Sequence, residues 1–210
     1  MIEGARERIL ARIRAANAGR PQPTAAIDRE ASRPALKNQD PLSEFKAKVT
    51  SERLAATVAD IPDAAAAPQA VRAYLEAEAA PLSLAVPPDP RLTRLDWAGV
   101  ETHERLDPNE GAAISIAEWG IAETGSLVLL SSPEQPTLYA FLPLRHIIVA
   151  PKSGILPYME DFWRAFEASG QTHPRNINFV TGVSGTADIE SKLVRGAHGP
   201  KRLHILLTDQ

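Results

Sequence analysis

Ile2, Ala5, Ile9, Ile13 and Ala16 recur at helical spacing, while Arg6, Glu7, Arg12 and Arg14 fall largely off that stripe. The pattern predicts a first helix over about residues 3–17, stopped by Asn17-Ala18-Gly19 with Pro21 just beyond. Residues 20–41 carry many Pro, Ala, Asn, Asp and Arg and no clear period, which predicts an extended linker. A lone helix on such a linker must dock on its own domain or on another subunit. Leu42, Phe45, Val49, Leu54 and Val58 predict a second helix, ended by Asp60-Ile61-Pro62. Val71 and Leu75, among alanines, predict a third, ended before Pro81. Leu82–Val86 reads as a short strand closed by Pro87-Pro88-Asp89-Pro90.

From about residue 111 the pattern shifts to short apolar runs. Ala112–Ala117 and Ser126–Ser131, set around Gly120 and Gly125, read as a strand pair joined by a turn. His146–Ala150 is a buried-type strand ended by Pro151. Ile155–Ala168, with Phe162, Trp163 and Phe166, reads as a helix. Asn178–Thr181 reads as a strand, the segment after Gly185 as a helix, and Leu203–Thr208 as a final strand. Strand–helix–strand–helix–strand over residues 145–208 predicts a parallel sheet flanked by helices, so the fold class is α/β with an N-terminal helical arm. The expected organisation is an arm and linker over 1–41 and an α/β domain over 42–210.

Composition narrows the chemistry. The chain has 210 residues, 44% of them hydrophobic, enough for one main domain with a real core. A net charge of -3 supplies no basic field for a nucleic-acid backbone. There is no cysteine, which excludes disulfides, thiolate zinc sites, cysteine-ligated iron–sulfur clusters and a cysteine nucleophile. The five histidines, His103, His146, His173, His198 and His204, show no close-paired metal spacing, and no metal site is expected. No stretch has signal-peptide character and no apolar run is long enough to cross a bilayer, so the expectation is a soluble cytoplasmic protein.

Two glycine-centred loops are the candidates for chemistry. In the first, Glu118 to Ser126, Glu123 sits between two apolar runs and is the candidate general base or nucleophile; the plainer reading is a solvated turn residue or a partner of Arg145. Thr124, Gly125 and Ser126 are candidate ligand contacts, and Trp119 is either a pocket wall or a buried strand residue. In the second, Gly182 and Gly185 would let a ligand approach the backbone at the start of the expected helix. Ser184 and Thr186 would add hydroxyl donors, and Asp188 is a further candidate contact. The alternative is that Ser184 or Thr186 merely caps the helix, with Asp188 and Glu190 neutralising its dipole. Neither loop is a dinucleotide fingerprint or a phosphate-binding P-loop. His198, in Gly196-Ala197-His198-Gly199-Pro200, is either a pocket-rim residue or a local turn residue, and His204 reads as strand packing. His146 fits either role. Lys152 is either an anion contact or a surface lysine.

Ile121-Ala-Glu-Thr-Gly-Ser-Leu-Val-Leu129, His146-Ile-Ile-Val149, Thr186-Ala-Asp-Ile-Glu190, Gly196-Ala-His-Gly-Pro200 and the closing Leu203-His-Ile-Leu-Leu207 together resemble the lactate utilization protein C family, the LUD domain, over about residues 82–208. The resemblance implies a sheet-and-helix fold like that of the CoA-transferase and ribose-phosphate isomerase superfamily. It also implies a non-redox part in oxidising L-lactate to pyruvate beside two iron–sulfur partner proteins. The lack of cysteine agrees: no cofactor is expected on this chain, and any clusters belong to the partners. The resemblance carries no agreed catalytic residue. The alternatives are a stand-alone small-molecule enzyme with Glu123 as base and residues 182–186 as an anion cradle, or a ligand-sensing or structural module.

Overall fold

In a computed structural model of the chain, residues 3–19, 33–108, 110–189 and 192–209 are described. They fall into two units, 1–35 and 36–210. The first contains helix α1 (Glu3–Asn17), whose Ile9 and Ile13 are exposed. Most of the linker lies outside the described residues. The second unit begins earlier than position 42 because Leu36 packs on its core, and Asn38 donates from its backbone and side-chain nitrogens to Glu44 at 2.9 and 2.7 Å.

Helix α2 (Pro41–Val49) is capped by Asp40, whose carboxylate accepts from the Ser43 backbone N–H at 2.9 Å. It stops there, and the expected helix to residue 58 is not formed. Thr57–Ile61 is instead strand β1, paired in parallel with the C-terminal strand from Thr57↔His204 to Ile61↔Thr208. Five ladder positions decide the state of a segment that helical spacing alone assigned wrongly. Helix α3 (Ala67–Ala77) and strand β2 (Ser83–Ala85) follow as expected, then the short helix α4 (Pro90–Thr93) and strand β3 (Glu101–His103).

Strands β4 (Ala112–Ile116), β5 (Trp119–Ile121), β6 (Ser126–Leu130) and β7 (Arg145–Pro151) come next. The two runs expected to pair, β4 and β6, lie in different sheets. Strand β8 (Ile155–Leu156) precedes helix α5 (Met159–Ala168), so the expected helix from 155 starts later. Strand β9 (Ile177–Val180) is followed by β10 (Gly185–Ile189) and β11 (Lys192–Arg195), an antiparallel pair in place of the expected helix. Strand β12 (Arg202–Thr208) closes the chain.

The main sheet is wholly parallel, in the order β1-β12-β7-β4-β2-β3. A second sheet, β8-β5-β6-β9, contains the antiparallel pairs β5–β6 and β6–β9, so β9 is not part of the parallel sheet. One face of the main sheet packs Ile114, Ile147, Val149 and Leu206 against Val71 and Leu75 of α3. The other packs Ile148, Ile205 and Leu207 against Phe45 and Val49 of α2 and Leu127 and Leu129 of the second sheet. The far side of that sheet buries Ile121 and Val128 under Phe162 and Phe166 of α5. Strands β7 and β12 are covered on both faces, so they read as continuous apolar runs. The molecule is thus mixed α/β with a parallel central sheet flanked by helices. Among the described residues, no helix is long and apolar enough to cross a membrane.

Candidate functional site

The two glycine loops do meet. The turn between β5 and β6 carries a hydroxyl chain, Thr124 Oγ1 to Ser126 Oγ at 2.7 Å and Ser126 Oγ to Thr181 Oγ1 at 2.6 Å. Thr181, just after β9, ties the turn to the Gly182 loop. What lies between the loops is Leu54. At Gly125 (φ +71°) an added Cβ would fall 2.8 Å from Leu54 Cδ1, and at Gly182 (φ +77°) one would fall 2.7 Å from the Leu54 Cα. Val183 donates its N–H to the Leu54 carbonyl at 3.0 Å. Both glycines therefore serve close packing on Leu54, and the hydroxyls satisfy one another.

The expected anion cradle has a different structure. With β10 in place of a helix, Gly185 and Thr186 begin a hairpin, and no helix terminus presents free N–H groups there. The helix-capping alternative for Ser184 and Thr186 falls with it. Ser184 instead donates its N–H to the Pro200 carbonyl at 2.9 Å and accepts from the Gly196 N–H at 2.8 Å, which brings the Gly199 turn against it. His198 on that turn is exposed. Asp188 lies within β10, and Glu190 lies outside the described residues. Glu123 is half-buried; its N–H donates to the Pro157 carbonyl, and Arg145 pairs with Glu78, not with Glu123. Lys152 faces carboxylates, Asp60 at 3.0 Å and Asp209 at 2.6 Å. Trp119 stands edge-on to Phe162 at 5.6 Å as a packing residue.

The topology points elsewhere. After β2 the chain moves outward to β3; after β4 it moves the other way, to β7 and β12. The direction of winding reverses between β2 and β4, and in open parallel sheets ligands settle at the carboxyl ends of the strands at such a point. Asp89 follows β2 there and is buried, 3% exposed. Arg91 grips it at 2.6 Å, Gln135 Nε2 donates to it at 2.9 Å, and it caps α4 through the Arg91 N–H at 2.8 Å. Burial pushes its carboxyl up, but the hydrogen bonds from Arg91 and Gln135 outweigh this and hold it below the usual carboxylate range. Asp89 is therefore a fixed anion that orients Arg91. Arg91 also reaches Glu118, beyond β4, at 3.4 Å, and Gln171 donates to Glu118 at 2.9 Å.

A cleft of about 950 Å³ opens beside this crevice, between residues 130–137 and 171–176. Leu130, Ser132 and Gln171 line both. Beneath it, Ser115 lies 3.0 Å from Nε2 of His146, which is fully buried. Burial pushes His146 down to about 3, so the imidazole is neutral and weakly basic at neutral pH. That disfavours a general-base role and favours a fixed hydrogen-bonding one. Sequence reading missed this site because its residues are scattered: Asp89 reads as part of the proline-rich close of a strand, and 132–137 and 171–176 lie between the segments that carry a period. The available signals were the proline-flanked Asp89 after a strand end and Glu118 after another.

Comparison with known proteins places residues 100–208 within the model of the LUD domain. Similar curated proteins include lactate utilization protein C of Bacillus subtilis, 39% identical over 55% of this chain and 50% of that protein. The protein of the same name in Geobacillus kaustophilus is 36% identical over 60% of this chain and 62% of its own length. The matched region spans about half the length of such relatives. Among solved structures, a DUF162 family protein from Deinococcus radiodurans superposes with a TM-score of 0.57, over 80% of this chain and 96% of that one, at 19% identity. That likeness concerns the fold.

Proposed function

Because the chain belongs to the LUD domain family, we propose that it takes part in lactate utilization, as a non-redox component of a system that oxidises L-lactate to pyruvate. The observation that carries this reading is the 34–39% identity, over 53–60% of the chain, to proteins called lactate utilization protein C. The chain's lack of cysteine supports the division of labour, since thiolate-held clusters would have to lie on cysteine-rich iron–sulfur partners. The part left to this chain is substrate binding or assembly of the complex. Its parallel sheet, with a crevice at the reversal between β2 and β4, suits the first.

Deletion of the gene in its host, followed by growth on L-lactate as sole carbon source, tests the role. Growth is expected to fail and to return on complementation. Native pull-down from lactate-grown cells is expected to bring down brown, cysteine-rich proteins. Unimpaired growth together with a chain that purifies alone would overturn the reading. It would favour a stand-alone small-molecule enzyme.

A further inference from the structure

The wall of the large cleft has a consistent chemistry. Its lining includes Ser131, Ser132, Thr137, Gln171, His173 and Arg175, and none of its described lining residues is acidic, although the chain as a whole carries a net charge of -3. Arg175 is exposed and has no ion-pair or hydrogen-bond partner among the described residues. The two serines already use their oxygens as acceptors: Ser131 Oγ takes the Asn176 N–H at 2.9 Å and Ser132 Oγ takes the Gln135 N–H at 3.0 Å. A hydroxyl that accepts in this way keeps its O–H proton for another partner. The cleft thus offers donors and an unneutralised guanidinium.

A second observation lies at the cleft's floor. Ser115 lines a void of about 10 Å³ that shares Leu130, Ser131, Pro136 and Thr137 with the cleft. His146 Nδ1 is buried without a partner among the described residues. A buried orphan N–H is the costlier arrangement, so the ring proton belongs on Nε2, where it is donated to Ser115 Oγ. That leaves the Ser115 O–H to be donated in turn.

We propose that this cleft is an oxyanion-binding site. It takes an organic acid or phosphate ester whose acid group sits on Arg175, with Ser131 and Ser132 as hydroxyl donors. The planar fork of arginine binds either kind of group through two parallel hydrogen bonds. The volume falls within the range of ligand pockets and well exceeds a three-carbon acid, so the occupant is a larger molecule bearing the acid group or a small acid held beside a partner's segment. The inference goes beyond the lactate reading and does not depend on it.

The test is a titration of the full chain followed by amide NMR, with pyruvate in one arm and inorganic phosphate in the other. Saturable shifts at Ser131, Ser132 and Arg175 are expected in at least one arm. Affinity is expected to fall tenfold or more in Arg175→Ala and to fall again in Ser132→Ala, while Arg53→Ala, outside the cleft lining, leaves it unchanged. A pyruvate-only response identifies a carboxylate ligand, and a phosphate-only response identifies a phosphate ester. No saturable shift in either arm, or equal affinity in Arg175→Ala, overturns the site. Growth on lactate is scored separately, so the two readings fail independently.

Discussion

At Asp89, desolvation and hydrogen bonding act in opposite directions, and hydrogen bonding wins because four donor atoms converge on one carboxylate. Replacing it with alanine removes a helix cap and leaves Arg91 and Gln135 without their acceptor. Asp89→Ala is expected to cost about 2 kcal/mol in urea unfolding, discounted for the half-exposed Arg91. The buried imidazoles set a pH response. Burial lowers His146 to about 3 and His204 to about 4, from an ordinary 6.5. Below pH 6.5 the unfolded chain therefore binds more protons than the folded one. Stability is fully present above about 6.5 and drains away as the pH falls through 4 and then 3. Calorimetry is expected to show Tm dropping between pH 6.5 and 4. In His204→Phe, which preserves the stacking on Tyr74 seen at 4.1 Å, the drop should be shallower. An equal drop would assign it to other groups.

At the scale of elements, burial decided what periodicity left open. Helix α5 turns Phe162 and Phe166 onto the second sheet, where Phe162 also meets Phe179 edge-on at 5.5 Å. Phe162→Ala is expected to destabilise by about 3–4 kcal/mol, measured by chemical denaturation. The Gly182 turn is the sharper test of how the loops are packed. An alanine there must adopt a positive φ and push against the Leu54 backbone, so Gly182→Ala should cost about 2 kcal/mol or more. At Gly111, where open space surrounds the site, alanine should change stability by about 0.5 kcal/mol at most. Equal effects at the two positions would refute the close-packing account.

Across the whole molecule, every buried hydrophobic residue among the described residues lies between Phe45 and Leu207, within the second unit. Removal of residues 1–35 should leave the Tm within a few degrees of the full chain, by circular dichroism. A collapse in Tm would show that the arm completes the core. Helix α1 forms over the residues expected from its spacing, with Ile9 and Ile13 exposed. The candidate site follows the sheet's winding: Asp89, Glu118 and the neighbouring cleft gather where the chain reverses direction.

The pattern of side chains determined the elements whose state is local or fully buried. Helices α1 and α3 show in the 3.6-residue period, and β4, β7 and β12 show as largely apolar runs, because two covered faces admit polar residues only where they are hydrogen-bonded, as Ser115 is to His146. Glycine, serine and threonine around 124–126 and 181–184 were legible as two candidate loops, but not as packing on Leu54. Only the tertiary structure decided that 57–61 is a strand, since its partners lie about 147 residues away at His204. It also decided that 185–195 folds as a hairpin and that β4 and β6 belong to different sheets. The cleft is assembled from segments near 131 and 175, beside a crevice formed near 91 and 118. No local period encodes that meeting; strand order and the packing of one sheet on another create it.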